Sequence, residues 1–124
     1  MFVSLADKNV AEYYRKGLGY EPNREVIALL LEKLSRKPYA EKLSAVTSIG
    51  HLSITTALSW EDNTKNDSVF IDLIKDAGKN VIVMSYHSNG RRKTDASRRA
   101  LLEEAVEYID LYVMRLILEK YGKL

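Results

Sequence analysis

The chain contains two histidines, the side chains most suited to acid–base chemistry near neutral pH. His51 stands at the start of one predicted strand, and His87 stands at the end of another strand that runs in the same direction. Because residues advance by about 3.3 Å along a strand, we expect the two imidazoles to lie roughly 20 Å apart. Ser85 and Ser88 flank His87, but no spacing marks the base and orienting acid that a serine nucleophile needs. A shared histidine site for catalysis or metal binding is therefore not expected.

Oxygen ligands for a cation gather in one polar segment, from Glu61 to Asp67. Their spacing does not fit the twelve-residue calcium loop. With Asp62 in the first position, Asp67 takes the place of the turn glycine and Leu73 that of the bidentate glutamate. The segment is therefore predicted to be a solvated loop. The chain also lacks cysteine, so thiolate metal sites are excluded, and we predict neither a metal nor a cofactor.

The clearest charge feature is a basic segment that is opposed locally by Asp95 alone. This segment is expected to bracket the start of the last helix. Positive charge there opposes the helix dipole, so helix stability does not explain why the segment is basic. An acidic protein partner, single-stranded nucleic acid and a solvated turn are the three interpretations, the second because an aromatic residue precedes the segment. The candidate partner- or anion-binding residues are Tyr86, Arg91, Arg92, Lys93, Arg98 and Arg99.

Asp110 lies in the most apolar run of the chain, where Asp110 and Arg115 alone interrupt the apolar residues from Tyr108 to Leu118. No neighbour three or four residues away along the helix can neutralise it. If the carboxylate is buried, it needs a cation from elsewhere in the fold. Arg15, Lys16 or Arg115 of a second copy could supply that charge and fix the helix register. Simple exposure of Asp110 is the alternative.

Apolar residues that recur every three or four positions predict four helices. Proline or polar residues suit the helix starts, and glycines suit the ends. The helices are expected over Leu5 to Lys16, from Asn23 past Leu34, over Pro38 to Gly50, and from Thr94 or Asp95 to Tyr121.

Between the third and last helices the apolar period changes to two, which indicates strands. The strands are expected over Leu52 to Trp60, Val69 to Ile74 and Val81 to Val83. A short helix over Ser68 to Ala77 is the competing interpretation of the middle strand. The predicted fold class is α+β, with N-terminal helices, a three-stranded antiparallel β-meander and a long C-terminal α-helix. We expect one domain over residues 1–124.

The pairing of the second and third strands decides which side chains share a face. A three-residue turn would place Ile71 opposite Val83 and Leu73 opposite Val81. Together with Val69, these residues would form a second apolar face, in addition to the main core face. A sheet that is apolar on both sides needs a cover on each side.

The last helix is apolar around most of its circumference, so it too needs more cover than one layer supplies. A homodimer would bury this surplus, because two-fold dimers are the commonest oligomers. A monomer with helices on both sheet faces is the alternative. The predicted dimer interface consists of Val69, Ile71, Leu73, Val81, Val83, Tyr108, Asp110, Leu111, Tyr112 and Arg115.

The composition of the 124 residues is that of an ordinary globular domain, with 46% hydrophobic and 29% charged residues. No apolar run approaches the roughly 20 residues of a membrane span, and no signal peptide is evident, so a cytoplasmic protein without membrane contact is expected. The absence of a catalytic motif and the apolar surplus favour a non-catalytic protein-binding module of the inhibitor, immunity or adaptor type. A nucleic-acid-binding regulator that uses Arg91 to Arg99 is the alternative, and an enzyme with a site built from scattered residues stays open.

Overall fold

The computed structural model describes residues 1–17, 20–48, 51–88 and 97–123. Within these ranges the chain forms strands and helices in the order β1, α1, α2, β2, β3, β4, β5, β6, α3. The strands are β1 (Phe2–Ser4), β2 (Ser44–Ser48), β3 (His51–Thr55), β4 (Ser68–Asp76), β5 (Lys79–His87) and β6 (Arg98–Ala100). The helices are α1 (Val10–Arg15), α2 (Glu25–Ser35) and α3 (Leu102–Tyr121).

All six strands belong to one antiparallel sheet, in which each strand lies beside its neighbour in sequence. The prediction of an α+β fold with an antiparallel sheet and a long C-terminal helix is confirmed. The prediction of three strands is an undercount, because β1, β2 and β6 extend the meander at both edges. Two of these three additional strands have three residues each, too few to show an alternating pattern.

Strand β2 replaces the predicted third helix. The spacing of Leu43, Val46 and Ile49 imitates a helical face, but Ala45 pairs with Ile54 of β3 and Val46 pairs with Ser53. This hairpin buries Ala45 and Val46 almost completely, so pairing between strands prevails over the local three-residue spacing.

The two terminal helices begin later than predicted. Helix α1 starts at Val10 rather than Leu5, because residues 5–9 form turns that connect β1 to the helix. Helix α3 starts at Leu102, because β6 pairs with β5. The predicted caps Thr94 and Asp95 lie outside the described residues. The end of α3 at Tyr121 is confirmed, and Gly122 caps it in the left-handed conformation with φ of 74°.

The β4–β5 hairpin has a two-residue turn rather than the three-residue turn assumed from the sequence. Ala77 and Gly78 occupy it with φ of 51° and 80°, as a type I′ turn requires. Ile71 therefore faces Met84 and Leu73 faces Ile82, so the predicted pairing of Ile71 with Val83 and of Leu73 with Val81 is wrong by one residue.

This register gathers most of the buried apolar side chains of the sheet on one face, while Ile74, Val81 and Val83 lie on the other. The residues buried on the first face include Leu52, Ile54, Val69, Ile71, Ile82, Met84 and Tyr86. Side chains from all three helices join them in one apolar cluster. Strand β3 ends at Thr55 rather than at the predicted Trp60, so Leu58 and Trp60 lie beyond the sheet and are exposed. The opposite sheet face carries Phe70, Asp72 and Val83, of which Phe70 is exposed.

Candidate functional site

Helix α3 has two apolar sides. One side faces the sheet and buries Ala105, Ile109, Val113, Leu116 and Ile117. Four large apolar side chains point nearly the opposite way, with exposed fractions of 64% for Leu111, 45% for Met114, 46% for Leu118 and 47% for Tyr121. We call these four residues the α3 stripe. A helix with one apolar side against its own core and a second in solvent is suited to bind another apolar surface.

The spacing within the α3 stripe is three, four and three residues, the a and d spacing of a heptad. Residues spaced in this way lie along one narrow line on a helix. Two exposed glutamates, Glu104 and Glu107, continue the same line toward the start of α3. The line is therefore acidic in its first half and apolar in its second half.

Contacts along its length hold α3 against the rest of the fold. The Asp110 carboxylate accepts hydrogen bonds from the Tyr39 hydroxyl at 2.6 Å and from Lys37 Nζ at 3.1 Å. Near the other end, Lys120 Nζ lies 3.7 Å from an Asp62 carboxylate oxygen. Lys37 of the same chain thus supplies a positive charge for Asp110, and a contact with Arg15, Lys16 or Arg115 of a second copy stays a prediction. The α3 stripe is thus presented by a helix that is fixed at two points.

Tyr86, a predicted partner-binding residue, is completely buried. Its hydroxyl donates to Asp67 Oδ2 at 2.6 Å, and the Arg115 guanidinium lies 3.8 Å from the centre of its ring. Burial and the Asp67 hydrogen bond raise the pKa of Tyr86. The ring is therefore a structural element beneath α3 and offers no surface for stacking a base.

The basic segment is described in part. Arg98 and Arg99 lie on the edge strand β6 and are exposed. The Arg98 guanidinium is 5.2 Å from the centre of the Tyr108 ring, and Arg99 Nη1 is 3.9 Å from an Asp76 carboxylate oxygen. The other three predicted residues, Arg91, Arg92 and Lys93, lie outside the described residues.

The residues predicted for a dimer interface fall into three groups. Val69 and Ile71 are enclosed in the core of a single chain. Leu73, Val81, Val83, Tyr108, Asp110 and Tyr112 are partly buried. Leu111 and Arg115 are exposed, and Leu111 belongs to the α3 stripe. The predicted dimer interface does not include Met114, Leu118 and Tyr121. Their heptad spacing with Leu111 is the sequence signal that could have identified them.

The open sheet face carries a stacked pair of rings. The centres of the Phe70 and His87 rings are 3.9 Å apart, and Ser85 Oγ lies 3.1 Å from His87 Nε2. Burial lowers the pKa of His87. A shallow depression of about 220 Å³ beside the pair is lined by residues that include His51 and Asp72. His51 is the first residue of β3 and lies four residues along the strand from Thr55. Thr55 is level with His87 across the sheet, so the two histidines are not side by side.

A second depression, of about 320 Å³, lies between the end of α3 and the loop after β3. Its lining includes Asp62, Asp67, Glu119, Lys65 and Lys120, so acidic and basic groups face each other there. Within the described ranges no cluster of three histidine or carboxylate side chains is arranged to hold a metal ion. The predicted loop over residues 61–67 is formed largely as expected, with one short helical turn at Asn63–Lys65.

Comparison with known proteins gave no match, whether to a protein family, to a curated protein or to a solved structure. Among the described helices, none is both long enough and apolar enough to cross a membrane. The cytoplasmic location expected from the sequence stays a prediction.

Proposed function

We propose that this chain is a non-catalytic protein-binding module that acts as a homodimer through the α3 stripe. The observation that carries the proposal is the set of four exposed large apolar side chains on the outer side of α3. An apolar patch of a few hundred Å² on a soluble protein is often a binding surface. A two-fold dimer would cover the patch with an identical patch.

The expected strength of the dimer follows from the size of the patch. Four half-exposed side chains and their neighbours cover roughly 400 Å² on each copy, about half of what a typical stable interface buries on each partner. A weak and reversible association is therefore expected. Contact with a second copy would remove the four side chains of the α3 stripe from water without any change in the fold.

The non-catalytic role is supported by what Asp110 and Glu25 do in the structure. Asp110 accepts hydrogen bonds from Tyr39 and Lys37 and fastens α3. Glu25 accepts hydrogen bonds from Arg15 and Tyr20, which lower its pKa and join α1 to α2. These carboxylates hold elements together rather than converge on one depression.

The second part of the proposal is that the segment from Arg91 to Arg99 meets an acidic protein partner. Arg99 is 61% exposed at the sheet edge, and its closest described carboxylate is 3.9 Å away. Nucleic-acid binding has less support, because Tyr86 is buried and a stacking residue must be accessible. Steep loss of heparin retention with salt would favour nucleic acid over an acidic protein.

Leu118→Glu tests the dimer by placing a carboxylate in the centre of the proposed contact. We expect light scattering to give the mass of two chains for the unmodified protein at high micromolar concentration and the mass of one chain for Leu118→Glu. Leu101→Glu is the matched control, because Leu101 is 53% exposed but lies before α3 and away from the stripe. The control should remain dimeric.

Two results would overturn this assignment. The unmodified chain could remain monomeric at several hundred micromolar, which would remove the dimer altogether. Alternatively, Leu118→Glu could stay dimeric while circular dichroism shows a normal fold, which would move the contact to another surface.

A further inference from the structure

We infer that the two copies pair their α3 helices in antiparallel orientation, with Leu111 of each copy against Tyr121 of the other and Met114 against Leu118. This inference rests on the proposed function, since it specifies how the α3 stripe meets a second copy. It is carried by the order of charged and apolar residues along α3, which differs between the two halves of the helix.

The glutamates at the start of the line argue against a parallel pair. In a parallel pair each residue of the line faces its own counterpart, so Glu104 would face Glu104 and Glu107 would face Glu107. Four carboxylates would then be brought together at one end of the contact, and like charges at close range are destabilising. Both glutamates are exposed, and so is Glu103, which adjoins Glu104 in the sequence.

An antiparallel pair avoids this repulsion and keeps all four apolar residues in use. A two-fold contact is reciprocal, so a residue that touches a second position is touched by that position in return. Leu111 with Tyr121 and Met114 with Leu118 satisfy this condition, since both pairs are centred on the same point of the helix. Glu107 then lies about four residues, or roughly 6 Å, past Tyr121, the last helical residue of the other copy, and Glu104 lies further out. The antiparallel helix dipoles add to the preference.

The alternative antiparallel register, shifted by one heptad, is less favourable. It would place Leu118 against Glu107 and Tyr121 against Glu104, so two apolar side chains would bury carboxylates. The sequence of the line therefore selects one register as well as one orientation.

Cysteine cross-linking distinguishes the arrangements, because the chain has no cysteine of its own. Leu111→Cys and Tyr121→Cys are each oxidised alone and as an equal mixture, and the products are separated without reductant. In the inferred arrangement positions 111 and 121 meet between copies, whereas each position lies about 15 Å from its own counterpart along the helix axis. A disulfide needs Cα atoms about 4–7 Å apart. We therefore expect a disulfide-linked dimer that joins one variant to the other, in the mixture alone.

The other outcomes separate the failure of this inference from that of the proposed function. Cross-linking of either variant to itself would overturn the antiparallel arrangement and leave the dimer in place. Dimeric mass in light scattering without any cross-link would also overturn it, since the contact would then lie elsewhere. Monomeric mass for the unmodified chain would overturn both proposals.

A charge variant gives a second measurement that does not depend on oxidation. Glu107→Gln removes a carboxylate that faces its counterpart in a parallel pair and does not do so in the antiparallel pair. We expect the dissociation constant of the dimer to change by less than twofold. A dimer that tightens severalfold would contradict the inference.

Discussion

Individual side chains in this protein join elements that are distant in sequence. Asp110 interrupts an apolar run in the sequence, and its carboxylate is expected to need a positive partner if it is buried, with simple exposure as the alternative. The partner could not be chosen from the sequence, because Lys37 is 73 residues away and comes within 3.1 Å through the packing of α2 against α3. The same packing brings the Tyr39 hydroxyl to the second carboxylate oxygen. A local sequence pattern thus identified the need for a contact but not the residue that supplies it.

His87 leads to a prediction about pH at the residue scale. Burial lowers its pKa below the value of about 6.5 that is usual in an unfolded chain. Protonation therefore favours the unfolded chain. The neutral imidazole contributes its full stability above about pH 6.5, and this contribution falls as the pH decreases through that value toward the lower folded pKa.

His87→Phe keeps a ring against Phe70 but removes the titration. We expect the free energy of unfolding to fall less between about pH 7.5 and pH 5.5 in this variant than in the unmodified protein. Urea denaturation at both pH values measures the difference. The control is His51→Gln, because the His51 side chain is 66% exposed, and it should keep the original pH dependence. If the free energy of unfolding changes equally with pH in His87→Phe and in the unmodified chain, the role assigned to His87 is contradicted.

At the scale of elements, the β4–β5 turn provides a test in which two neighbouring substitutions have opposite effects. Ala77 has φ of 51° and Gly78 has φ of 80°. No atom outside the turn lies within 4 Å of a Cβ placed on Gly78, so backbone conformation alone determines the effect there. We expect Ala77→Asn to raise the free energy of unfolding by about 0.5–1 kcal/mol, since asparagine tolerates this region. Gly78→Ala should lower it by about 1 kcal/mol.

Urea denaturation of both turn variants checks the expected signs. A turn of three residues would place different positions at positive φ, and the two effects would then not have opposite signs. The comparison therefore also tests the register on which the single buried sheet face depends.

The elements that were predicted well are those that local pattern determines. Helix α2 shows apolar residues at helical spacing from Val26 to Leu34, and the end of α3 is marked by Gly122. Strands β1 and β6 have three residues each and exist because a neighbouring strand pairs with them. Three residues are too few for an alternation of apolar and polar side chains to distinguish a strand from a loop. The error in β2 has a related origin, because two intervals of three residues, from Leu43 to Ile49, are too few to establish a helical period.

Only part of the candidate site could be predicted from the sequence, for a comparable reason. The sequence indicated that α3 carries more apolar surface than one contact can bury, and Leu111 was included in the predicted interface. Which side of α3 meets the core depends on how the helix is rotated against the sheet. Ile109 and Leu116 face the sheet, so Met114 and Leu118 are left outside. That rotation is a property of the tertiary packing and is not visible in the spacing alone.

For the whole molecule, the two-residue turn changes where unburied apolar surface lies. With the predicted register, both sheet faces would have been apolar, and the sheet itself would have required a cover on each side. With the observed register, one face holds the core, and the other carries Asp72, Ser85 and His87 among its apolar residues. The unburied apolar surface that remains on the described helices is concentrated on the outer side of α3. Among the described strands one large apolar side chain, that of Phe70, is exposed, whereas the α3 stripe exposes four, so we propose that association uses the helix.

The most direct test of this account is sedimentation velocity of the unmodified chain over a series from low micromolar to several hundred micromolar. We predict that the weight-average sedimentation coefficient rises with concentration from the value of one chain toward that of two. The Leu118→Glu variant should retain the single-chain value throughout. A coefficient for the unmodified protein that stays at the single-chain value over the entire series would contradict the claim that the outer side of α3 binds a second copy.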